Sequence, residues 1–172
     1  AMLARREAGE PLQYALGRWQ FRTLDLYVDR RVLIPRPETE VLAGMAVEEC
    51  RRLGARTVVD LGTGSGAIAL SLAVECPGLQ VWGTDVSDEA LAVARDNLAG
   101  LGRAATRVRL AAGAWFDALP EELVGRVDVI VSNPPYVAEH EVADLPDEVR
   151  DWEPRTALVP GPSGLEAVEH IV

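Results

Sequence analysis

Thr57-Val58-Val59-Asp60-Leu61-Gly62-Thr63-Gly64-Ser65-Gly66-Ala67-Ile68-Ala69-Leu70-Ser71-Leu72-Ala73-Val74 decides the fold. Its first five residues form a short apolar run, the pattern of a strand buried on both faces of a parallel sheet. Its last eight, rich in Ala and Leu, predict a tightly packed helix. Three glycines at alternate positions lie between. Glycine lets the backbone turn sharply and lets a ligand approach closely. A strand, a glycine loop and a helix in this order predict a ligand loop; a tight turn needing no side chains is the plainer alternative. The amide groups at the helix start are expected to face the ligand. The spacing G-x-G-x-G differs from the G-x-G-x-x-G of dinucleotide folds and lacks the Lys-Ser/Thr of a phosphate loop. Asp60 beside it disfavours phosphate and suits an ammonium or hydroxyl groups.

Outward from this stretch, strand and helix patterns alternate. Val81 to Thr84 predicts a second strand, closed by Asp85. Ser87 is the predicted N-cap of a helix with Asp88 and Glu89 in its first turn and Leu91, Ala94 and Leu98 on its apolar side. Val108 to Ala111 and Val127 to Val131 predict two more strands. The expectation is an α/β fold with an open, doubly wound, mostly parallel sheet. Before it, Gly17 to Val32 predicts a β-hairpin turning near Arg22-Thr23, with Leu24, Leu26 and Val28 alternating against polar residues. Pro37 fits the first turn of a helix ending near Gly54, with Leu42, Met45, Ala46 and Glu49 at helical spacing. Residues 1–33 read as the end of a linker plus the hairpin, and 34–172 as the main domain. The chain begins in the pattern of a helix tail and stops inside a new helical period (Leu165, Val168, Val172), which suggests a fragment.

Composition narrows the class. The chain has 172 residues, 48% hydrophobic and 26% charged, as for an ordinary globular domain. A net charge of −10 supplies no field toward a phosphate backbone and argues against nucleic acid as substrate. Cys50 and Cys76 are neither paired as Cys-x-x-Cys nor joined by a histidine cluster, so buried thiols are expected and no metal. No apolar run approaches a membrane span and no leader peptide is visible, which fits a cytoplasmic protein. The acidic run from Glu139 to Glu153 reads as a solvated loop that Trp152 pins to the domain.

Three further groups carry chemistry. Asp85 ends a strand where doubly wound folds place the acid that accepts ribose hydroxyls; a helix-capping carboxylate is the alternative. Ala114-Trp115-Phe116 follows the third strand, and an aromatic there can pack on a flat base, with core packing the rival for Phe116. Asn133-Pro134-Pro135-Tyr136 ends the fourth strand. Two prolines cannot continue it, and each holds the residue before it extended. The Asn133 side-chain oxygen and the Pro134 carbonyl are two acceptors for one NH₂ group, and Tyr136 can stack on the plane carrying it. A proline-ended strand with a capping Asn is the plainer reading.

Asp60-Leu-Gly62-Thr-Gly64-Ser-Gly66, then Asp85, then Asn133-Pro-Pro-Tyr136 resembles the S-adenosylmethionine-dependent methyltransferases that act on planar NH₂ groups. Ile34-Pro35-Arg36-Pro37-Glu38-Thr39-Glu40 looks like the signature of the protein-(glutamine-N5) methyltransferases of peptide-chain release factors. Glu148-Val149-Arg150 through Glu153-Pro154, Thr156-Ala157-Leu158, and Pro11-Leu12-Gln13-Tyr14 with Gly17 are similar to the same family. The resemblance implies a Rossmann-like methyltransferase sheet, truncated at its C-terminal end, and an N-terminal helical domain outside this chain. It implies S-adenosyl-L-methionine as cofactor, S-adenosyl-L-homocysteine as product, and a release factor as protein substrate in translation termination. By resemblance, Gly62, Thr63, Gly64, Ser65 and Gly66 carry the methionine part, Asp85 the ribose and Trp115 the adenine. Asn133 touches cofactor and substrate, while Pro134, Pro135 and Tyr136 complete the glutamine pocket. Thr39 and Arg36 are expected to border the cofactor. Ala114 departs from the acid that relatives often carry before the aromatic. The alternatives are glutamine methylation of a ribosomal protein, adenine-N6 methylation of nucleic acid, and a non-catalytic nucleoside-binding scaffold.

Overall fold

The computed structural model describes residues 2–172. Two short helices, α1 (Met2–Glu7) and α2 (Leu12–Leu16), lead into an antiparallel hairpin of β1 (Arg18–Phe21) and β2 (Leu24–Tyr27). The register pairs Arg18 with Tyr27 and Phe21 with Leu24, which buries Phe21 and Leu26 and leaves Arg22-Thr23 as the turn. Arg22 takes φ +52°, the left-handed region that a β-carbon disfavours. Its side chain explains how it stays there. The guanidinium donates to both oxygens of Glu75, at 2.6 and 2.7 Å, and to the Glu40 carbonyl. At the other end Asn97 accepts from Tyr27 N and donates to the carbonyls of Tyr27 and Ser65. One buried amide thus ties the hairpin to the glycine loop.

Arg22→Ala is expected to lower unfolding free energy by about 2–3 kcal/mol, because it leaves the largely buried Glu75 carboxylate without its partner. Urea denaturation of the two proteins checks this; a change below about 0.5 kcal/mol would contradict it.

The main sheet has four parallel strands in the order β5-β4-β3-β6. They are β3 (Thr57–Leu61), β4 (Gln80–Asp85), β5 (Val108–Ala112) and β6 (Val129–Ser132). The three longer helices are α3 (Pro37–Leu53), α4 (Ala67–Glu75) and α5 (Asp88–Ala99). This is the expected open, Rossmann-like α/β sheet with its preceding hairpin. The chain runs outward from β3 to β5 and then returns to the far side of β3, so the order reverses beside β3. Such switch points open a crevice at the carboxyl ends of the strands. β6 is the edge of this sheet, and its Ile130 is half exposed.

Capping follows the sequence closely. Pro37 opens α3, Gly54 ends it in the left-handed conformation, and Ser87 Oγ accepts from Ala90 N at the start of α5. Two expectations need correction. In α3 the buried residues are Thr39, Ala43, Ala46, Val47 and Cys50, while Met45 is exposed. Small residues let this helix lie close to its neighbours, so burial follows contact rather than side-chain size. The acidic run is also more than a solvated loop. Glu153 is buried against Arg36 at 2.5 Å, and Glu141 caps Ala138 N. Arg30 stacks 4.9 Å above Trp152, which pins this segment as expected. It contains the short α6 (Asp147–Arg150) and leads to α7 (Glu166–Ile171). Both cysteines are buried and free, and burial pushes the Cys50 thiol up to about 11. No helix among the described residues is long and apolar enough to cross a membrane.

Candidate active site

The register brings the motifs together. Leu61 pairs with Thr84 on one side and Ser132 on the other, so Gly62, Asp85 and Asn133 emerge at one level of the sheet. Ser132 Oγ donates to the Leu61 carbonyl at 2.7 Å and fixes the strand end that carries Asn133.

The glycine loop is held mainly by its own fold. Gly62 N and Thr63 N both donate to the Thr84 carbonyl, at 2.9 and 2.8 Å. Gly64 N donates to Asp85 Oδ2, and Gly66 N to the Thr63 carbonyl. Four loop amides are therefore satisfied inside the protein, and at the helix start, where the amides were expected to face a ligand, Ala69 N is taken by Asp60. The absence of a side chain matters at Gly62: its φ is +72°, and the Trp115 ring lies 3.8 Å from where a β-carbon would sit. Asp60 likewise differs from expectation. It is buried beneath the loop, where its Oδ2 accepts from Thr63 Oγ1 at 2.6 Å and from Ala69 N at 3.1 Å. Its Oδ1 has no partner among the described residues. Burial pushes the carboxyl up to about 7. Asp60 shapes the loop rather than lining the crevice.

A cleft of about 220 Å³ lies above this loop, lined by Gly62, Thr63, Gly64, Ser65, Asp85, Trp115, Asn133 and Pro135. Gly66 sits outside it, against Leu70 and Ala94, where it serves helix packing. Asp85 combines the two readings given for it. Its oxygens accept from Ser87 N and Gly64 N, and its side chain also borders the cleft. Burial raises its pKa. Trp115 has φ +47°, a conformation that a bulky residue rarely adopts. Thr84 Oγ1 donates to its carbonyl at 3.3 Å, which helps hold the ring at the cleft wall. Such strain marks candidate functional positions. Phe116 does not line the cleft.

A second cavity of about 340 Å³ adjoins the first. Pro134, Tyr136, Val137, Leu42, Leu145 and Val149 line it, with Arg36 and Glu38. Leu33, Thr39, Asn133 and Ala157 border both cavities. Asn133 therefore stands in their common wall. Its Nδ2 donates to Thr39 Oγ1 at 3.3 Å. Among the described residues its Oδ1 accepts no side-chain hydrogen bond, so it remains available to a ligand donor. Thr39 borders the first cleft as expected, whereas Arg36 belongs only to the second, drawn there by Glu153.

Sequence reasoning missed Arg31, Val32 and Leu33, and Pro154, Thr156 and Ala157, on the cleft walls. They come from segments far apart in sequence. The residues after Glu153 were marked by a resemblance but carried no chemical signal of their own. His140 and His170 are exposed and line neither cavity.

A parallel α/β sheet with a mainly apolar cleft at its switch point, walled by Trp115 and edged by Asp85 and Asn133, defines the Rossmann-like class of ligand-binding domains. The family model of the methyltransferase small domain matches residues 39–147, and the chain belongs to that family. The chain is 47% identical over 168 residues to the release factor glutamine methyltransferase of Gloeobacter violaceus, covering 98% of this chain and 57% of the relative. It is 46% identical to the Bordetella pertussis protein of the same name, covering 99% and 61%. The chain thus spans about three-fifths of the length of these curated relatives. Among solved structures, the human Mettl16 catalytic domain in complex with a MAT2A 3'UTR hairpin superposes with a TM-score of 0.67 at 20% identity. That match covers 93% of this chain and 60% of the other. It concerns the fold alone.

Proposed function

We propose that this chain is the catalytic part of an S-adenosylmethionine-dependent methyltransferase acting on the side-chain amide nitrogen of a glutamine in a peptide-chain release factor. The observation that carries this reading is the position of Asn133 in the wall common to two adjoining cavities. One cavity suits a nucleoside cofactor, and the other opens beside two acceptors and an aromatic ring.

The first cleft fits this cofactor on its own chemistry. Its loop amides are mostly consumed internally, so it offers little to a pyrophosphate. It does offer a carboxylate, Asp85, for ribose hydroxyls and an indole, Trp115, for a flat base. Gly62 to Ser65 would take the amino-acid end. The bound cofactor supplies an electrophilic methyl group on a sulfonium.

The protein's own residues supply the rest. Asn133 Oδ1 and the Pro134 carbonyl accept the two hydrogens of the substrate amide and fix its plane. Thr39 holds the Asn133 amide group in place. Tyr136 lines the second cavity, largely exposed, and supplies a ring to stack on the amide plane. An amide nitrogen is a poor nucleophile because its lone pair is delocalised. No histidine stands near, so orientation and hydrogen bonding to the developing positive charge provide most of the acceleration.

The longer relatives named for release factors support the choice of protein substrate, as does the acidic charge of the chain. Tritiated-methyl transfer by the full-length protein, with a release factor, a ribosomal fraction, RNA and DNA offered in parallel, tests the reading. Label is expected on the release factor. Label on a ribosomal protein or on nucleic acid would replace the substrate assignment, and no transfer despite cofactor binding would favour a scaffold.

Trp115→Ala tests the cofactor assignment separately. It should weaken S-adenosylmethionine binding about 10-fold, the loss of one aromatic contact, as read by calorimetry. Unchanged affinity would remove Trp115 from the site.

A further inference from the structure

Asn133 to Tyr136 is short of internal restraint. Pro134 and Pro135 have no N–H to donate, and the motif projects from an edge strand. The Ser132 bond to Leu61 fixes only its beginning. Something else must fix its end.

The segment from Leu158 to Gly164 does so. Val137 N donates to the Leu158 carbonyl at 2.9 Å, and Glu139 N to the Pro162 carbonyl at 3.4 Å. Just past the second of these acceptors, Gly164 lies directly against the end of the motif. A β-carbon at Gly164 would stand 2.7 Å from the Tyr136 carbonyl oxygen and 3.0 Å from Ala138 N. Both atoms belong to the backbone, so neither swings aside as a side-chain tip can. Ala138 N is further held by Glu141 Oε2 at 2.9 Å. Gly164 itself has φ +81°.

We propose that Gly164 is a positioning residue for methyl transfer: it forms a backstop, possible only without a side chain, that sets where Tyr136 stands in the substrate cavity. The inference rests on the function proposed above. Gly164 borders neither cavity, and Tyr136 borders only the second. A side chain at residue 164 therefore meets the substrate wall at Tyr136 first, one residue beyond Pro135, the last residue of the motif to border the cofactor cleft. Orientation effects are steep, with a displacement of about 1 Å able to cost roughly 100-fold in rate.

The test uses the full-length protein with Gly164→Ala and Gly164→Asn. Asparagine tolerates positive φ better than alanine, so a loss common to both variants comes from the β-carbon rather than from the backbone angle. Turnover of a release-factor substrate should fall about 10- to 100-fold in both, with the cofactor dissociation constant within about threefold of wild type. Undiminished turnover in either variant that still binds cofactor would overturn the proposal. Parallel loss of cofactor binding and turnover in both would also overturn it, because the glycine would then serve folding alone. If the wild-type protein itself methylates no glutamine, the functional reading fails first and this inference with it.

Discussion

Replacing Asn133 by alanine in the full-length protein should lower glutamine methylation by roughly 100- to 1,000-fold, the range for removing one hydrogen-bonding group aimed at developing charge. The substitution removes the acceptor that fixes the amide plane and leaves Thr39 without its donor. Cofactor affinity should change by less than about fivefold, because a single side chain in a wall of many residues contributes on the order of 1 kcal/mol. The two readouts separate the roles. Parallel loss of both would make Asn133 a cofactor residue. Unaltered transfer with cofactor bound would mean that this motif does not hold the reacting nitrogen. Asn133→Asp is informative beside it, since a carboxylate keeps an acceptor but loses the NH₂ group that Thr39 receives.

The second large effect concerns stability and pH. The Asp60 carboxyl stands at about 7 in the folded chain, against an ordinary value of 3.8, because burial opposes its ionisation. The folded protein therefore keeps a proton that the unfolded chain releases. Stability must fall as pH rises from about 4 to about 7, by on the order of 4 kcal/mol from this group alone. Asp85 and Glu153, both raised by burial, add to the same slope. Asp60→Asn should flatten the profile. The amide oxygen can still accept from Thr63 and Ala69, while its NH₂ replaces an oxygen that has no partner. A cost of about 1–3 kcal/mol is then expected at pH 5, and a smaller cost or a gain near pH 8. Urea midpoints across this pH range check the prediction; parallel profiles for the two proteins would contradict it.

Much of the architecture was legible because its signals are local. Apolar runs ended by Gly62, Asp85 and Asn133 mark strands whose carboxyl ends carry polar groups. Gly54, Pro37 and Ser87 mark helix ends by the backbone geometry each permits. The alternation from Leu24 to Val28 likewise marks the hairpin strand that buries Leu26 and Val28. Hydrophobicity was a poor guide to the inner face of α3, where Met45 points outward and Thr39 and Ala43 point inward. Closeness to the neighbouring elements selects small residues there.

The site divides the same way. Gly62 to Ser65, Asp85, Trp115 and Asn133 share one cleft, because each ends or follows a strand of one sheet. Asp60 and Gly66 lie off the cleft: one is buried beneath the loop and the other packs on Leu70, positions that their spacing does not announce. The Arg36–Glu153 pair bridges 117 positions, and no local pattern announces a contact at that range. Charge counting alone took Glu153 for a solvated acid. The same limit hid Gly164, whose importance lies in what stands opposite it.

The central claim is that the two cavities meet where a methyl group passes to a glutamine amide. Mass spectrometry of a release factor after incubation with the full-length protein and S-adenosylmethionine tests it most directly. The account predicts one added methyl group on a single glutamine side-chain nitrogen, absent when Asn133 is alanine. An unmodified release factor under conditions where the cofactor binds, or a methyl group on any other residue type, would contradict it.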